Sequence, residues 1–531
     1  MTNSRTYFVS FLMSVSLLLN PVASQAAAAN ARPFPIVETT IDQIHAAYKA
    51  GRLTAHQLVQ AYLDRINAYD KGGPNINSII TLNPNALADA DKLDAAFRAS
   101  GPVGPLHGIP VLVKDEIDVA ALPTTMGSTI FRDYRPTKDA FVVDRLRKAG
   151  AIIIGKTTLS EFAIGDTYGS MFGVTRNPYG LDRTAGGSSG GSGAALAANF
   201  ATLALGEETL ASIRRPGGWN DLVTMRPTSG LVSRSGMWDG YPTDFAAMGP
   251  MARNVRDLAQ LLDVMVAYDP EDPQTALGDG QKQGSYTRYL RADGLKGARI
   301  GILREPFGFM SEPGSDDFKK VDAVFEKNIA ELKAAGATIV DPIVIPDLLP
   351  LLAKRAADTT ASDEALRLYL GRNPNSPFKG RQDIANSPLV EQAFPANKRT
   401  LWTAPFQPTD PAKFGEYLKA RARLMTNLMK VMSDNRLDAI VHKTVEHQPT
   451  KIEDGIKPPF VSQKGIPSIN TFLVFVSTMT VPSGFTSDRL PVGITFLGRP
   501  YSEPVLLRLA YAYEQATHHR KPPDTTPELN R

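Results

Sequence analysis

Short, continuous apolar runs alternate with amphipathic stretches over most of this chain. Leu106 to Val113, Ala151 to Gly155, Ala201 to Leu205, Ala298 to Leu303, Thr338 to Val340, Leu437 to Val441, Thr478 to Val481 and Val492 to Leu497 have the length and boundaries of buried strands. Helical patterns lie between them, around 140 to 149, 250 to 266, 317 to 335 and 503 to 516. An order of apolar run, helix and apolar run predicts parallel α/β units. Ahead of the first run, Thr40 and Thr54 stand as N-caps of two helices, with Gly51 as the stop signal of the first. Leu58, Ala61, Tyr62, Arg65 and Ile66 keep an i, i+3, i+4 rhythm in the second, and Asn83-Pro84 opens a third helix to about Ala99. Asp269 to Gln283 is a polar connection. From about 350 to 415 the rhythm is poor and prolines are frequent, which reads as an irregular wall or lid over a cleft. Since strand-helix order resumes after each interruption, the pattern predicts one large α/β domain.

Composition adds mainly exclusions. The 531 residues are 43% hydrophobic and 21% charged, an ordinary globular balance with material for a large core. A formal net charge of +4 gives no ground for a nucleic-acid partner or an acidic substrate. With no cysteine, disulfides, thiol catalysis, Cys-ligated zinc and iron-sulfur clusters are excluded. The N-terminus shows Arg5, the apolar run Tyr7 to Leu19, the breakers Asn20-Pro21 and the small-residue site Val22 to Ala26. That order predicts a signal peptide over residues 1–26, cleaved after Ala26, and a secreted or periplasmic protein. No other stretch approaches the ~18 to 20 apolar residues of a membrane span, so no membrane association is expected after cleavage.

Candidate chemistry centres on a glycine-serine loop, Gly186 to Asn199 (GGSSGGSGAALAAN), with a polar loop at Gly206 to Arg214 and a lysine at Lys114. Gly187 to Gly191 matches G-x-S-x-G around Ser189, but that motif requires a strand immediately before it, and Asn177 to Arg183 is turn material. Ser376 to Lys379 and Ser433 to Asn435 match S-x-x-K and S-D-N, but Lys443-Thr444 is followed by Val445 instead of Gly. The seven histidines offer no H-E-x-x-H, and no Walker lysine or dinucleotide fingerprint occurs in context, so neither metal nor cofactor is expected. A serine hydroxyl needs a base within hydrogen-bond reach. A lysine at the end of a buried strand fills that role if desolvation lowers its pKa and leaves a neutral amine.

The combination Gly186-Gly-Ser-Ser-Gly-Gly-Ser192 with Gly206-x-Glu-Thr-x-x-Ser-Ile-Arg-x-Pro216 resembles the amidase signature family. So do Gly108 to Asp115, Gly155 to Glu161, Thr175 to Pro178, Met225 to Arg234, Gly249 to Arg253, Leu490 to Gly493 and Tyr511 to Gln515. The similarity spans nearly the whole chain from residue 27 to 531 and is strongest to the secreted peptide-amidase branch. It implies a single three-layer α/β/α domain with a mixed, mostly parallel central sheet. It also implies Ser212 as nucleophile, Ser188 as proton relay in a cis Gly187–Ser188 peptide, and Lys114 as base. The backbone N–H groups of Thr209, Leu210, Ala211 and Ser212 would form the oxyanion hole. The substrate would be a small-molecule or peptide amide, with no metal or cofactor.

Two departures bear on this. Leu210-Ala211 stands where the family usually has Gly-Gly, and His442-Lys443-Thr444 where it usually has Pro-Thr near the pocket. The first motivates an alternative, an inactive amidase-like binding protein. A tRNA-dependent amidotransferase component is a third reading, disfavoured by the export signal. Trp219, Trp238, Tyr241, Trp402, Phe406 and His442 are the candidate pocket residues, and several together would suit an aryl or bulky amide.

Overall fold

Eleven strands form one sheet. In chain order they are β1 (Ile79–Leu82), β2 (Pro110–Lys114), β3 (Ile152–Thr157), β4 (Leu203–Glu208), β5 (Val223–Arg226), β6 (Ala247–Ala252), β7 (Arg299–Leu303), β8 (Thr338–Ile343), β9 (Ala439–Lys443), β10 (Thr478–Phe485) and β11 (Pro491–Leu497). This is a computed structural model that describes residues 1–2 and 34–529. The apolar run and cleavage site of the expected export signal lie outside them. Residues 36–529 form one compact unit.

The sheet order is β1-β3-β2-β4-β6-β5-β10-β11-β9-β7-β8. The α/β class and the mixed sheet hold, but the sheet is not mostly parallel. Among the described residues, four neighbouring pairs are parallel (β3 with β2, β2 with β4, β9 with β7, β7 with β8) and six are antiparallel. The difference arises in the middle of the sheet. The stretch 250 to 266, which reads as a single amphipathic helix, begins as β6, pairing Gly249 with Gly206 and Met251 with Thr224. Only after Asn254, whose side chain accepts from the Asp257 N–H, does the helix Val255–Met265 start. The apolar run through Pro250 satisfies two neighbouring strands, and this pairing outweighs a helical reading of the sequence.

The helix ends follow local chemistry. Thr40 and Thr54 each accept from the backbone N–H three residues on, and Gln43 and Gln57 return the bond to the cap N–H. Each is a complete capping box.

The glycine-serine loop is packed between layers. It leads into the helix Gly190–Ala197, which lies across β2, β3, β4 and β6, while the helix Arg214–Trp219 lies across β5, β10 and β11. Gly191 is needed for the close approach, because a Cβ there would overlap the Thr158 backbone carbonyl. Lys114 and Glu208 end the adjacent parallel strands β2 and β4, so Lys114 and the loop carrying Ser212 lie at strand carboxyl ends, where open α/β sheets hold their ligands.

The region 350 to 415 folds into short helices, among them Thr359–Gly371, Arg381–Ala385 and Thr400–Thr403. They share an apolar cluster with Phe131, Phe162 and Trp238. Polar ties also fix this region to the rest of the domain, among them two from buried side chains. The Tyr369 hydroxyl donates to Asp118 Oδ1 at 2.8 Å, and Lys398 Nζ donates to the Glu161 carbonyl at 3.1 Å.

Gly191→Ala should therefore destabilise the protein by about 1–3 kcal/mol through overpacking against Thr158, read as a lower apparent Tm in thermal unfolding. An unchanged Tm would mean that the helix does not need its glycine.

Candidate active site

Lys114 is fully buried, and its Nζ donates to Ser188 Oγ at 2.6 Å. The same Nζ lies 2.7 Å from Glu116 Oε1 and 3.0 Å from Glu207 Oε2. The neighbour Asp115 faces elsewhere, pairing with Lys156 at 2.9 Å and accepting from the Thr125 N–H at 2.9 Å. Ser188 follows a cis Gly187–Ser188 peptide. Its carbonyl accepts from the Ser160 N–H at 3.0 Å.

Ser212 lies in the loop between β4 and the helix Arg214–Trp219. The Glu208 carboxylate fixes the start of that helix by accepting from the N–H groups of Ile213 (3.0 Å) and Arg214 (2.9 Å) and from Arg214 Nε (2.8 Å). A carboxylate against helix N–H groups is stabilised by both hydrogen bonds and the helix dipole. Ser189 bridges the two loops, its N–H donating to the Ser212 carbonyl at 3.1 Å and its Oγ to the Glu207 carbonyl at 3.1 Å. Arg215 makes a further bridge. Its Nε and Nη2 donate to the Gly187 carbonyl at 3.0 and 2.7 Å, and its Nη1 pairs with Asp166 at 2.9 Å.

A cavity of about 590 Å³ opens beside these loops, lined by Gly187, Thr209, Leu210, Ala211 and Ser212. Among the described residues, the N–H groups of Thr209, Leu210, Ala211 and Ser212 donate to no protein acceptor. Leu210 and Ala211 both have φ < 0, so this loop does not require glycine. Phe162, Trp238, Leu366, Trp402 and Phe406 form the apolar wall. The Phe162 and Trp402 rings meet edge-on with centroids 4.9 Å apart, and Arg381 stacks over Trp402 at 5.0 Å and Phe406 at 5.6 Å.

The family model described as Amidase matches residues 57–507. The chain belongs to the amidase family. It is 34% identical over 485 residues to a glutamyl-tRNA(Gln) amidotransferase component of Methanosarcina barkeri, covering 89% of this chain and 96% of that protein. It is 32% identical over 538 residues to a probable amidase of Arabidopsis thaliana, covering 96% of each. In structure it is similar to the native peptide amidase of Stenotrophomonas maltophilia, with a TM-score of 0.82 and 34% identity over 93% of this chain and 100% of that one.

Three expected pocket residues of this amidase lie elsewhere. Trp219 is buried beneath the 209–212 loop, packed with Ala211, Val445 and Ile466, and its Nε1 donates to the His447 carbonyl at 3.1 Å. Tyr241 is 45% exposed and lines a separate depression with Met237 and Arg372. His442 is buried in β9 against the Phe307 ring, where burial and the Arg214 charge push its pKa down to about 3. It is a neutral packing residue, which its strand position dictates. Trp238, Trp402 and Phe406 do line the cavity.

The electrostatics depart from the sequence expectation at Lys114. Burial alone would push its ammonium down, but the Glu116 and Glu207 carboxylates outweigh that and hold it above the ordinary lysine value. Burial and the nearby Glu207 charge, opposed by Lys114, lift Glu116 to about 8. Asp239, half-buried on the cavity wall, is lifted to about 7 by burial and Glu207 against the pull of Lys114 and Arg234. Glu116, Glu207, Asp239, Phe162 and Arg215 are the site residues that sequence reasoning missed. Glu207 lies inside a quoted motif and Glu116 directly follows another, yet nothing in their spacing shows that they turn onto the lysine.

The folded state keeps the Asp239 proton to higher pH than the unfolded chain does. Its contribution to stability is full below the unfolded value of 3.8 and is lost as pH rises through about 7. Asp239→Asn should match wild type in acid and exceed its apparent Tm by about 1–3 °C at pH 8.5. A gap that does not change with pH would contradict this.

Proposed function

We propose that this chain is a serine amidohydrolase that cleaves a carboxamide C–N bond through an acyl-enzyme on Ser212. The observation that carries the reading is the buried Lys114–Ser188 contact of 2.6 Å beside a cavity lined by Gly187 and the 209–212 loop, whose N–H groups donate to no protein acceptor. Ser212 Oγ attacks the carbonyl carbon, and its proton passes by way of Ser188 toward Lys114. The carbonyl electron pair moves to oxygen, where the N–H groups of the 209–212 loop receive it, each worth about 3–4 kcal/mol. Collapse breaks the C–N bond as the proton returns to the leaving amine, and water then releases the acyl group.

For the substrate we favour a peptide amide or another amide with an aryl or bulky apolar group. The Phe162, Trp238 and Trp402 rings support this, as does a volume within the usual range for small-molecule sites. Leu210 also lines the cavity. Export to the periplasm or beyond is part of the same proposal, and a mature N-terminus at Ala27 would support it.

Ser212→Ala should abolish amide turnover, and Lys114→Met and Ser188→Ala should each lower kcat by roughly 10²–10⁴-fold. Turnover surviving in Ser212→Ala would remove the proposed nucleophile. Turnover by the isolated chain also separates an amidase from a binding protein and from a partner-dependent amidotransferase component. Trp402→Ala should cut kcat/KM for aryl amides by roughly 10–200-fold and spare short aliphatic amides. A wild-type preference for the aliphatic amides would contradict the aryl pocket.

A further inference from the structure

Lys114 Nζ donates to Ser188 Oγ at 2.6 Å, to Glu207 Oε2 at 3.0 Å and to the Glu207 carbonyl at 3.4 Å, with Glu116 Oε1 2.7 Å away as a further charge partner. In that arrangement Ser188 accepts from the lysine, which is the wrong direction for taking a proton from Ser212. Both carboxyl groups are as deeply buried as the lysine, with side chains 2% and 3% exposed. The other oxygen of Glu207, Oε1, accepts from Thr209 Oγ1 at 2.9 Å, so this carboxylate touches both the lysine and the loop beside Ser212.

We propose that Glu207 is the terminal proton acceptor of the relay, so that the working base is the Lys114–Glu207 pair instead of the lysine alone. The inference rests on the Ser212 reading above. During attack, the Ser212 proton goes to Ser188 Oγ, the Ser188 proton to Lys114 Nζ, and one Lys114 proton to Glu207 Oε2. When the C–N bond breaks, the same three transfers run backwards and the leaving nitrogen takes the proton.

Charge balance supports this route. With Glu116 keeping its proton to about pH 8, a Lys114–Glu207 ion pair would carry no net charge. Moving one proton from Lys114 to Glu207 gives an amine and two carboxylic acids, again with no net charge. In water the charged pair is favoured by about six pKa units. Burial penalises the Lys114 ammonium, but the neighbouring Glu116 and Glu207 groups outweigh that penalty. The charged groups facing the trio from other elements are Asp239, on the cavity wall, and Arg234 and Arg226 beyond it.

The test is the rate of active-site labelling by a fluorophosphonate, together with single-turnover release of an aryl amine, from pH 5 to 10 on the full chain. Wild type should reach its plateau by about pH 8. Glu207→Gln should lose tenfold or more at pH 7, Glu207→Asp should recover part of that, and the Glu116→Gln/Glu207→Gln double variant should lose 10²-fold or more. The opposite result overturns the proposal: a wild-type rate that climbs tenfold per pH unit to pH 10, with Glu207→Gln or the double variant faster than wild type at pH 7. The carboxylates would then only hold the lysine charged. Should Glu207→Gln fail to fold, Glu116→Gln and Glu207→Asp apply the same test of sign. Labelling that persists in Ser212→Ala would instead remove the nucleophile reading, which is a separate failure.

Discussion

A lysine with no access to water sits between two buried carboxyl groups, and every other part of the site is arranged about that cluster. Three ionisable groups in a dry space must settle on a low net charge. Here they do so by keeping the Lys114 ammonium and raising Glu116 to about 8. The usual idea of a desolvated, neutral lysine therefore does not describe the resting protein. Burial does favour the amine, but the two carboxyl groups within 3.0 Å outweigh it.

The scaffold makes the cluster possible by ending two adjacent parallel strands at the same edge. β2 delivers Lys114 and β4 delivers Glu207 and Glu208, with the glycine-serine loop packed between them. Side chains then bind the loops to one another. Glu208 holds the start of the helix after Ser212, Arg215 reaches back from that helix to the Gly187 carbonyl, and Ser189 joins both loops. The Ser189 hydroxyl, central to the G-x-S-x-G pattern, is thus occupied with the backbone. The region 350 to 415 completes the enclosure from the other side, bringing Trp402 and Phe406 to the cavity.

Much of the fold is legible because many of its strands are continuous apolar runs and its first helices carry full capping boxes at Thr40 and Thr54. β5 is not, since Val-Thr-Met-Arg is four residues of mixed polarity and becomes a strand only through its neighbours. β6 is masked by the helix that follows it three residues later. In the site, spacing and motif single out Lys114, Ser188 and Ser212. The direction of a side chain at a strand end is a tertiary fact, so Glu116 and Glu207 carry no comparable signal. The same limit governs the aromatics. Trp219 and Trp238 look alike in sequence, yet one is packed beneath the loop and the other faces the cavity. Phe162 reaches the cavity from a turn with φ of 55°, a conformation that no periodicity marks.

Covalent catalysis on Ser212 is tested most directly by the intact mass of the protein after rapid mixing with an aryl amide, followed by peptide mapping of any adduct. The predicted result is an increase equal to the acyl group, located on Ser212 and decaying as the acid is released. An adduct on Ser189, or turnover with no acyl-protein at any time, would contradict it.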